Sequence, residues 1–597
     1  MKKILNISLV ALLFFLLSAC NEEYLDRFPE TSIGKENFFN TEEDLNMYVN
    51  NLYNFPAFGI YVGDNTSDNQ TTTGNTEIKT IMTTSPSSET ITGGWNWGEL
   101  RTINFFLENF SKADIPQDQL DHFEGLARFF RARFYMNKVQ RYSDVPWYDE
   151  VIATGDEEAL YKTQDSREFV VGKIFEDYQF AADHVKANQP TGAVNQWVVK
   201  AYMARHALYE GTFRKYHDEL GMQGSANQFL EMARDMTMDI MNSGNYSIYN
   251  TGNPDADYGS LFISTDLTGN PEVILPNISI TNLKNSGFWE YMFGNYESSP
   301  ARDLMQAYLM KDGTPYTQPG YETNEFVAEF VDRDPRLYQT YAPPGWELIR
   351  TATYAQGGGI YIQQLQKNFS GYHQLKGFVN NTDQEYSDDV DIPVLRYAET
   401  LLTYAEAKAE LGQLTQGDLD MTINVLRDRA GMPHLMMNPP VDPVQAARYP
   451  DVSSPEILEI RRERRIELAL EGYRFDDLMR WKAGKLIEAE PQGLYFSGLG
   501  KYDLTGDGVE DIILIDVSET IPDGPDKELN SLGVPLIYYR AGMQDSDASV
   551  YLQNGSIGTV QTVRERGEFM EPKYYYRPIP QTHVTVNPNL KQLFGWN

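Results

Sequence analysis

Arg461-Arg462-Glu463-Arg464-Arg465-Ile466-Glu467-Leu468-Ala469-Leu470-Glu471-Gly472-Tyr473-Arg474-Phe475-Asp476-Asp477-Leu478, followed by Arg480-Trp481, is the most distinctive stretch of this chain. Opposite charges recur three or four residues apart in and just before it: Glu459 with Arg462, Arg464 with Glu467, Asp476 with Arg480. Such pairs support a helix by ~0.2–0.5 kcal/mol each. Ile466, Ala469, Leu470, Tyr473 and Phe475 supply a core-facing side, so the pattern predicts one helix over 455–482. A charged structural helix explains it better than a catalytic cluster, because ion pairs of this kind are common where no chemistry occurs.

The same helical period extends through most of the chain. Thr41 with Asp44 forms a capping-box pattern before Leu45, Tyr48, Val49, Leu52 and Tyr53, and Pro56 ends that helix. Others are predicted from Trp97 to Phe110 and over 117–141, 166–187, 195–211, 225–243, 301–311, 396–411 and 417–430. Small residues such as Ala201, Ala204 and Ala207, or Ala405, Ala407 and Ala409, let neighbouring helices approach, as in stacked tetratricopeptide-type pairs, although no strict repeat can be read. The expected class is therefore mainly α, with helix pairs as scaffold, a few short strands, and long irregular loops at about 57–95, 244–300, 312–395 and 483–573. Loops that long tend to be functional.

The N-terminus reads as an address. Lys2 and Lys3, an apolar stretch from Ile4 to Leu17 and the small residues before Cys20 make residues 1–19 a signal peptide. The run is shorter than the ~20 residues of a membrane span, and Asn21-Glu22-Glu23 follows it where Lys or Arg would stop transfer. Leu17-Ser18-Ala19-Cys20 resembles a bacterial lipobox, which makes Cys20 the lipidation site and residues 20–40 a tether. Glu22-Glu23 is similar to the export signal of Bacteroidetes lipoproteins, placing the expected protein in the outer membrane, lipid-anchored and facing the cell exterior.

Losing residues 1–19 removes two lysines and moves the formal charge from −35 to −37. Nucleic acid is excluded as a partner, since phosphate binding needs a basic footprint. With Cys20 acylated no disulfide can form, so the body is held by its core. Tyr (38) and Trp (8) are abundant and many lie in Gly/Asn/Ser-rich segments, a composition that suits a binding surface. His-Glu-x-x-His, Gly-x-Ser-x-Gly, Walker and Gly-x-Gly-x-x-Gly motifs are missing.

The stretch from Arg461 to Trp481 resembles the signature of SusD-like (RagB/SusD) outer-membrane lipoproteins. Similar pieces fall in family order: Phe123-Glu124-Gly125 through Arg133-Phe134-Tyr135 to Asp144-Val145-Pro146, Ser243-Gly244-Asn245-Tyr246, Lys311-Asp312-Gly313, Arg333-Asp334-Pro335-Arg336-Leu337, Arg396-Tyr397-Ala398-Glu399, and Asn587-Pro588-Asn589-Leu590. The resemblance implies one SusD-like domain over 41–597, helical-repeat-rich to about 300, with the SusD/RagB part over about 301–597. It also implies no catalysis, no required cofactor, and a lid that passes oligosaccharides, or peptides in some members, to a SusC-like TonB-dependent transporter. A surface glycoside hydrolase and a helical-repeat adaptor are the rival readings; the first needs only two carboxylates, which 85 acidic residues always offer.

Sugar rings stack C–H faces on aromatic planes and bond their hydroxyls to polar side chains. Three segments offer that combination: Trp95 and Trp97 with Asp68 and Asn69; Trp289 with Tyr291 and Tyr296; and Trp346 with Tyr361 near Gly357-Gly358-Gly359. Asp503, Thr505, Asp507 and Asp511 match a calcium loop with Gly508 at its sixth position, but Leu514 stands where a bidentate Glu belongs, so a structural Asp/Gly turn is the competing reading. Cys20→Ala should leave ligand affinity in solution intact while abolishing surface display, scored by protease accessibility on whole cells.

Overall fold

Thr41 opens the first helix as a capping box: the Asp44 N–H donates to Thr41 Oγ1 at 3.2 Å and the Thr41 N–H to Asp44 Oδ2 at 3.1 Å. The computed structural model describes residues 38–280, 283–284, 298–349, 356–381, 389–562 and 567–596. Its N-terminal half is built from α1 (Glu42–Asn50), α2 (Gly98–Asn109), α3 (Gln117–Tyr142), α4 (Arg167–His184), α5 (Gln196–Tyr216) and α6 (Ala226–Asn242). α3 packs along α4, and α5 along α6. Gly211 makes the second pair possible, because a Cβ there would lie 2.9 Å from the Leu230 side chain.

The helices continue as α7 (Arg302–Ala307), α8 (Pro335–Thr340), α9 (Tyr397–Glu410), α10 (Ile423–Arg429), α11 (Pro455–Glu467), α12 (Arg474–Arg480) and α13 (Gln581–Val586). α9 packs on both α6 and α11, carrying the helical stack into the C-terminal half. Short strands tie the loops together. β1 (Gln70–Thr72), β2 (Val273–Asn277), β3 (Ser298–Pro300) and β4 (Ile392–Arg396) form two antiparallel pairs, β1 with β3 and β2 with β4. The stretch 483–573, expected to be irregular, holds β5 (Gln492–Phe496), β6 (Gly500–Tyr502), β7 (Ile512–Asp516), β8 (Ile537–Gly542), β9 (Val550–Tyr551) and β10 (Gly558–Gln561). β9, β8, β7 and β6 make a four-stranded sheet in that order, while β5 pairs with β10. Helix accounts for 43% of the described residues and the strands among them are few and short, so the mainly α expectation stands.

The predicted helix over 455–482 is two helices. α11 stops at Glu467, Leu470 takes φ +62° and Gly472 φ +78°, and α12 begins at Arg474. A bulky residue at positive φ is costly, and here the surroundings hold it. The Leu470 N–H donates to Asp64 Oδ2 at 2.9 Å, and Lys376 Nζ donates to the Ala469 carbonyl at 2.7 Å. Arg396 Nη2 and the Tyr258 hydroxyl both reach the Glu467 carbonyl, at 2.6 and 2.9 Å. Carbonyls freed by the helix end thus find buried donors. Gly63 backs the turn so closely that a Cβ on it would sit 2.9 Å from Gly472 Cα.

α11 also differs in its charges. Every residue from Ile457 to Glu467 is buried, so the helix has no solvated face. Only Glu459–Arg462 of the three expected local pairs forms, at 3.3 Å. Arg464 turns across the break to Asp477, and Arg480 reaches Glu406 across space as well as Asp477 three residues back on α12. Glu467 accepts from Arg429 at 2.6 Å, Arg396 at 2.7 Å and Arg336 at 2.9 Å. These links extend through Asp334, Glu463, Arg427, Glu272, Glu471 and Lys376 into a connected set of five cations and five anions. Burial alone would raise the Glu467 carboxyl, but the three arginines outweigh it and hold the group well below its ordinary value.

The loop read as a calcium candidate is closed on itself. Asp503 accepts the N–H groups of Thr505 at 3.0 Å, Gly506 at 2.6 Å and Gly508 at 2.9 Å, and Asp511 accepts those of Leu504 and Thr505 at 2.8 and 2.9 Å. Asp507 Oδ1 takes the Val509 N–H at 2.8 Å. Among the described residues no three His, Cys, Asp or Glu side chains are arranged to hold a metal ion. These are the hydrogen bonds of an Asp/Gly turn, and on that reading the thermal midpoint should be the same in EDTA as in calcium.

Glu467→Gln leaves three buried arginines undercompensated and should cost about 3–5 kcal/mol in urea unfolding. Because Glu467 is depressed from 4.5 in the folded state, its contribution is complete above about pH 4.5 and fades as pH falls through the folded value. Wild-type stability should therefore drop below that pH more steeply than the variant's.

Candidate ligand-binding groove

Thr92-Gly93-Gly94-Trp95-Asn96-Trp97 turns sharply into α2, and its shape is set by α3 beneath it. Gly94 has φ +91°, and a Cβ there would lie 2.4 Å from Arg141 Nε, so only glycine fits. The Gly93 carbonyl accepts from Arg141 Nη2 at 3.0 Å and from the Tyr142 hydroxyl at 2.8 Å. Lys138 Nζ donates to the carbonyls of Gly94 and, at 2.7 Å, Asn96. Burial pulls the Lys138 ammonium down to about 8, and the two carbonyls take the place of water around it. Asn96 Oδ1 then accepts the Gly98 N–H at 2.9 Å, satisfying one end donor of α2.

This clamp sorts the two indoles. Trp95 is buried, edge-on to Tyr142 with centroids 4.8 Å apart. Trp97 is half-buried, set against Trp95 at 5.3 Å, Phe134 at 5.7 Å and Tyr148 at 5.8 Å. Together they form one wall of a groove of about 500 Å³. The second wall is Pro146 to Thr154, fixed by Arg101 Nη1 donating to the Ile152 carbonyl at 3.0 Å and by the Val151 N–H donating to Glu108 at 2.6 Å. Asn104 Nδ2 ties the carbonyls of Tyr148 and Glu150 at 3.0 and 3.1 Å. The third wall comes from α13 and the residues after it, where Asn587 Nδ2 donates to the Lys162 carbonyl at 2.8 Å. Leu100, Val151, Ile152, Leu160 and Val586 make the groove mainly apolar, while Arg101, Glu150 and His583 stand exposed along it. Such a surface suits a ligand with an apolar face and a polar edge.

The other expected contacts lie elsewhere. Asp68 and Asn69 are buried under α11 and α12: Asp68 forms a two-bond pair with Arg474 at 2.7 and 2.8 Å, and Asn69 Oδ1 accepts from Arg465 at 2.8 Å. Their polar atoms pin a turn, and neither lines the Trp97 groove. Trp346 is half-buried in an aromatic cluster with Tyr361 at 5.7 Å and Phe378 at 5.9 Å, and Tyr361 is itself buried, accepting from Asn368 at 2.9 Å. Burial holds the adjoining His373 near 3, hence neutral. Cys20, Trp289, Tyr291 and Tyr296 lie outside the described residues. The walls from 146–154 and from α13 were missed, because nothing local in a sequence brings residue 587 to residue 162.

A model of the SusD family matches residues 271–596. The SusD-like protein P38 of Formosa agariphila is 24% identical over 80% of this chain and 92% of its own length, and protein P2 of the same organism 23% over 82% and 92%. Among solved structures, a SusD-like protein from Bacteroides fragilis superposes with a TM-score of 0.66 at 20% identity, over 95% of this chain and all of its own. A SusD-like carbohydrate binding protein from the same organism gives 0.64 at 22%, over 93% and all of its length. With the family model spanning more than half of the sequence and the fold shared along nearly all of it, the chain belongs to the SusD family.

Proposed function

We propose that this protein is a non-catalytic, lipid-anchored binder of oligosaccharides on the outer face of the outer membrane, which hands its ligand to a SusC-like TonB-dependent transporter. The observation that carries the reading is the groove beside Trp97, where a half-buried indole lies open next to Arg101, Glu150 and His583. A pyranose ring can lay its C–H face on the indole and turn its hydroxyls to those side chains, and the rings behind Trp97 keep the platform rigid. Family membership and the relative described as carbohydrate binding support the ligand class. The Leu17 to Cys20 pattern supports the anchor, which would hold the binding face beside its transporter at high effective concentration.

Affinity electrophoresis of the detergent-solubilised protein against host, plant and microbial polysaccharides tests the reading. Trp97→Ala should weaken binding of the retained glycan at least about tenfold, ~1.4 kcal/mol, with Trp97→Phe intermediate and thermal midpoints little changed. Reducing ends released over time would instead make the protein a hydrolase. Solubilised outer membranes should yield the protein together with a large TonB-dependent barrel.

A further inference from the structure

A second cavity, of about 270 Å³, opens between α3, α5 and α12, well apart in its lining from the Trp97 groove. Most charges around it are already matched. Arg205 holds Glu399 through two bonds of 2.6 Å, Arg480 holds Glu406 and Asp477, and Arg464 Nε donates to Asp477 at 2.9 Å. Two opposite charges are left over. Arg133 lies over the rings of Phe55 and Tyr202, at 4.6 and 4.9 Å, and makes one side-chain bond, 3.3 Å to Asn54, with no ion pair among the described residues. The exposed Asp476 carboxylate has neither an ion pair nor a hydrogen bond among the described residues.

Neutral groups in the same cavity are also unmatched. Tyr209 is 4% exposed, yet its hydroxyl bonds to no described residue and borders the cavity. A phenol this buried usually finds a partner. The amides of Asn137 and Gln140 line the same space without a described partner. A neighbouring hollow of about 450 Å³ shares Arg205, Tyr473 and Asp476 with it, which gives a ligand a way in.

We infer that this cavity binds a small polyhydroxylated carboxylate of the size of one sugar-acid residue. The carboxylate meets Arg133, hydroxyls donate to Asp476, and the remaining hydroxyls exchange bonds with Tyr209, Asn137 and Gln140. The cavity falls below the ~300–1,000 Å³ of drug-sized pockets, which fits a single ring. A hydroxylated acid uses both leftover charges and the neutral groups, whereas a simple anion would leave Asp476 unanswered. The inference does not depend on the groove reading.

Titration calorimetry of the solubilised full chain with D-glucuronate should give saturable binding, with D-glucose at least about tenfold weaker for want of the carboxylate. Tyr209→Phe keeps the ring packing and Asp476→Asn changes an exposed group, so both should fold with unchanged melting, and each should weaken glucuronate about tenfold. Absence of saturation, indifference of binding to both substitutions, or glycine competing as well as glucuronate would overturn the assignment, the last by making the site one for amino acids.

Discussion

Glu467 accepting from Arg336, Arg396 and Arg429 is the interaction on which the remainder of this structure depends. Each arginine comes from a different part of the chain: Arg336 from α8, Arg396 from the end of β4, Arg429 from α10. All four side chains are fully buried, so the meeting point tolerates no loss of a partner without stranding a charge away from water. Apolar replacement of such a cluster is often neutral or better for stability. Its contribution is therefore to specify which elements meet: a slip of any one element would leave a guanidinium or carboxylate without its counter-charge.

The hub also explains why the chain breaks after Glu467. A continuous helix would carry Glu471 and Arg474 past the groups that bind them. The turn brings Glu471 to Lys376 and Arg396, and Arg474 to Asp68 on the other side. Leu458 and Ile460 join the core cluster that includes the N-terminal helix pairs, while Ile466, Ala469 and Leu470 join the one that includes the β7–β8 strands. One short segment thus closes two hydrophobic clusters and locks both with charge.

Helix content was legible because amphipathic spacing is local, and α1, α2, α3, α5 and α6 begin within a residue or two of where periodicity puts them. The break at Leu470 was not, since charge spacing in 455–482 fits a helix throughout and the donors that end it come from Asp64, Lys376 and Arg396. The strands β5 to β10 were hidden for another reason: Ile512-Ile513-Leu514-Ile515 has no period that separates a strand from a buried helical turn. Of the candidate site, the Trp95-Asn96-Trp97 turn was readable from its glycines and indoles. The burial of Asp68 and Asn69 was not, because a polar run reads alike whether it meets solvent or a buried arginine.

The groove is tied to the chain's far end by one carboxylate. Glu77 accepts from Arg141, with one bond of 2.9 Å, and from Arg577 Nε at 2.6 Å, while Arg141 also holds the Gly93 carbonyl. Burial would raise the Glu77 carboxyl, but the two arginines together keep it below its usual range, so it remains charged wherever they are in place. Arg577 lies just before α13, whose first residue Gln581 exchanges bonds with Ser88 at 2.8 and 3.0 Å. The C-terminal segment that forms the third wall and the turn that presents Trp97 are consequently positioned by the same charge. A platform held from both ends of the chain needs no loop closure to order it, which would lower the entropic cost of holding the ligand proposed for the indole.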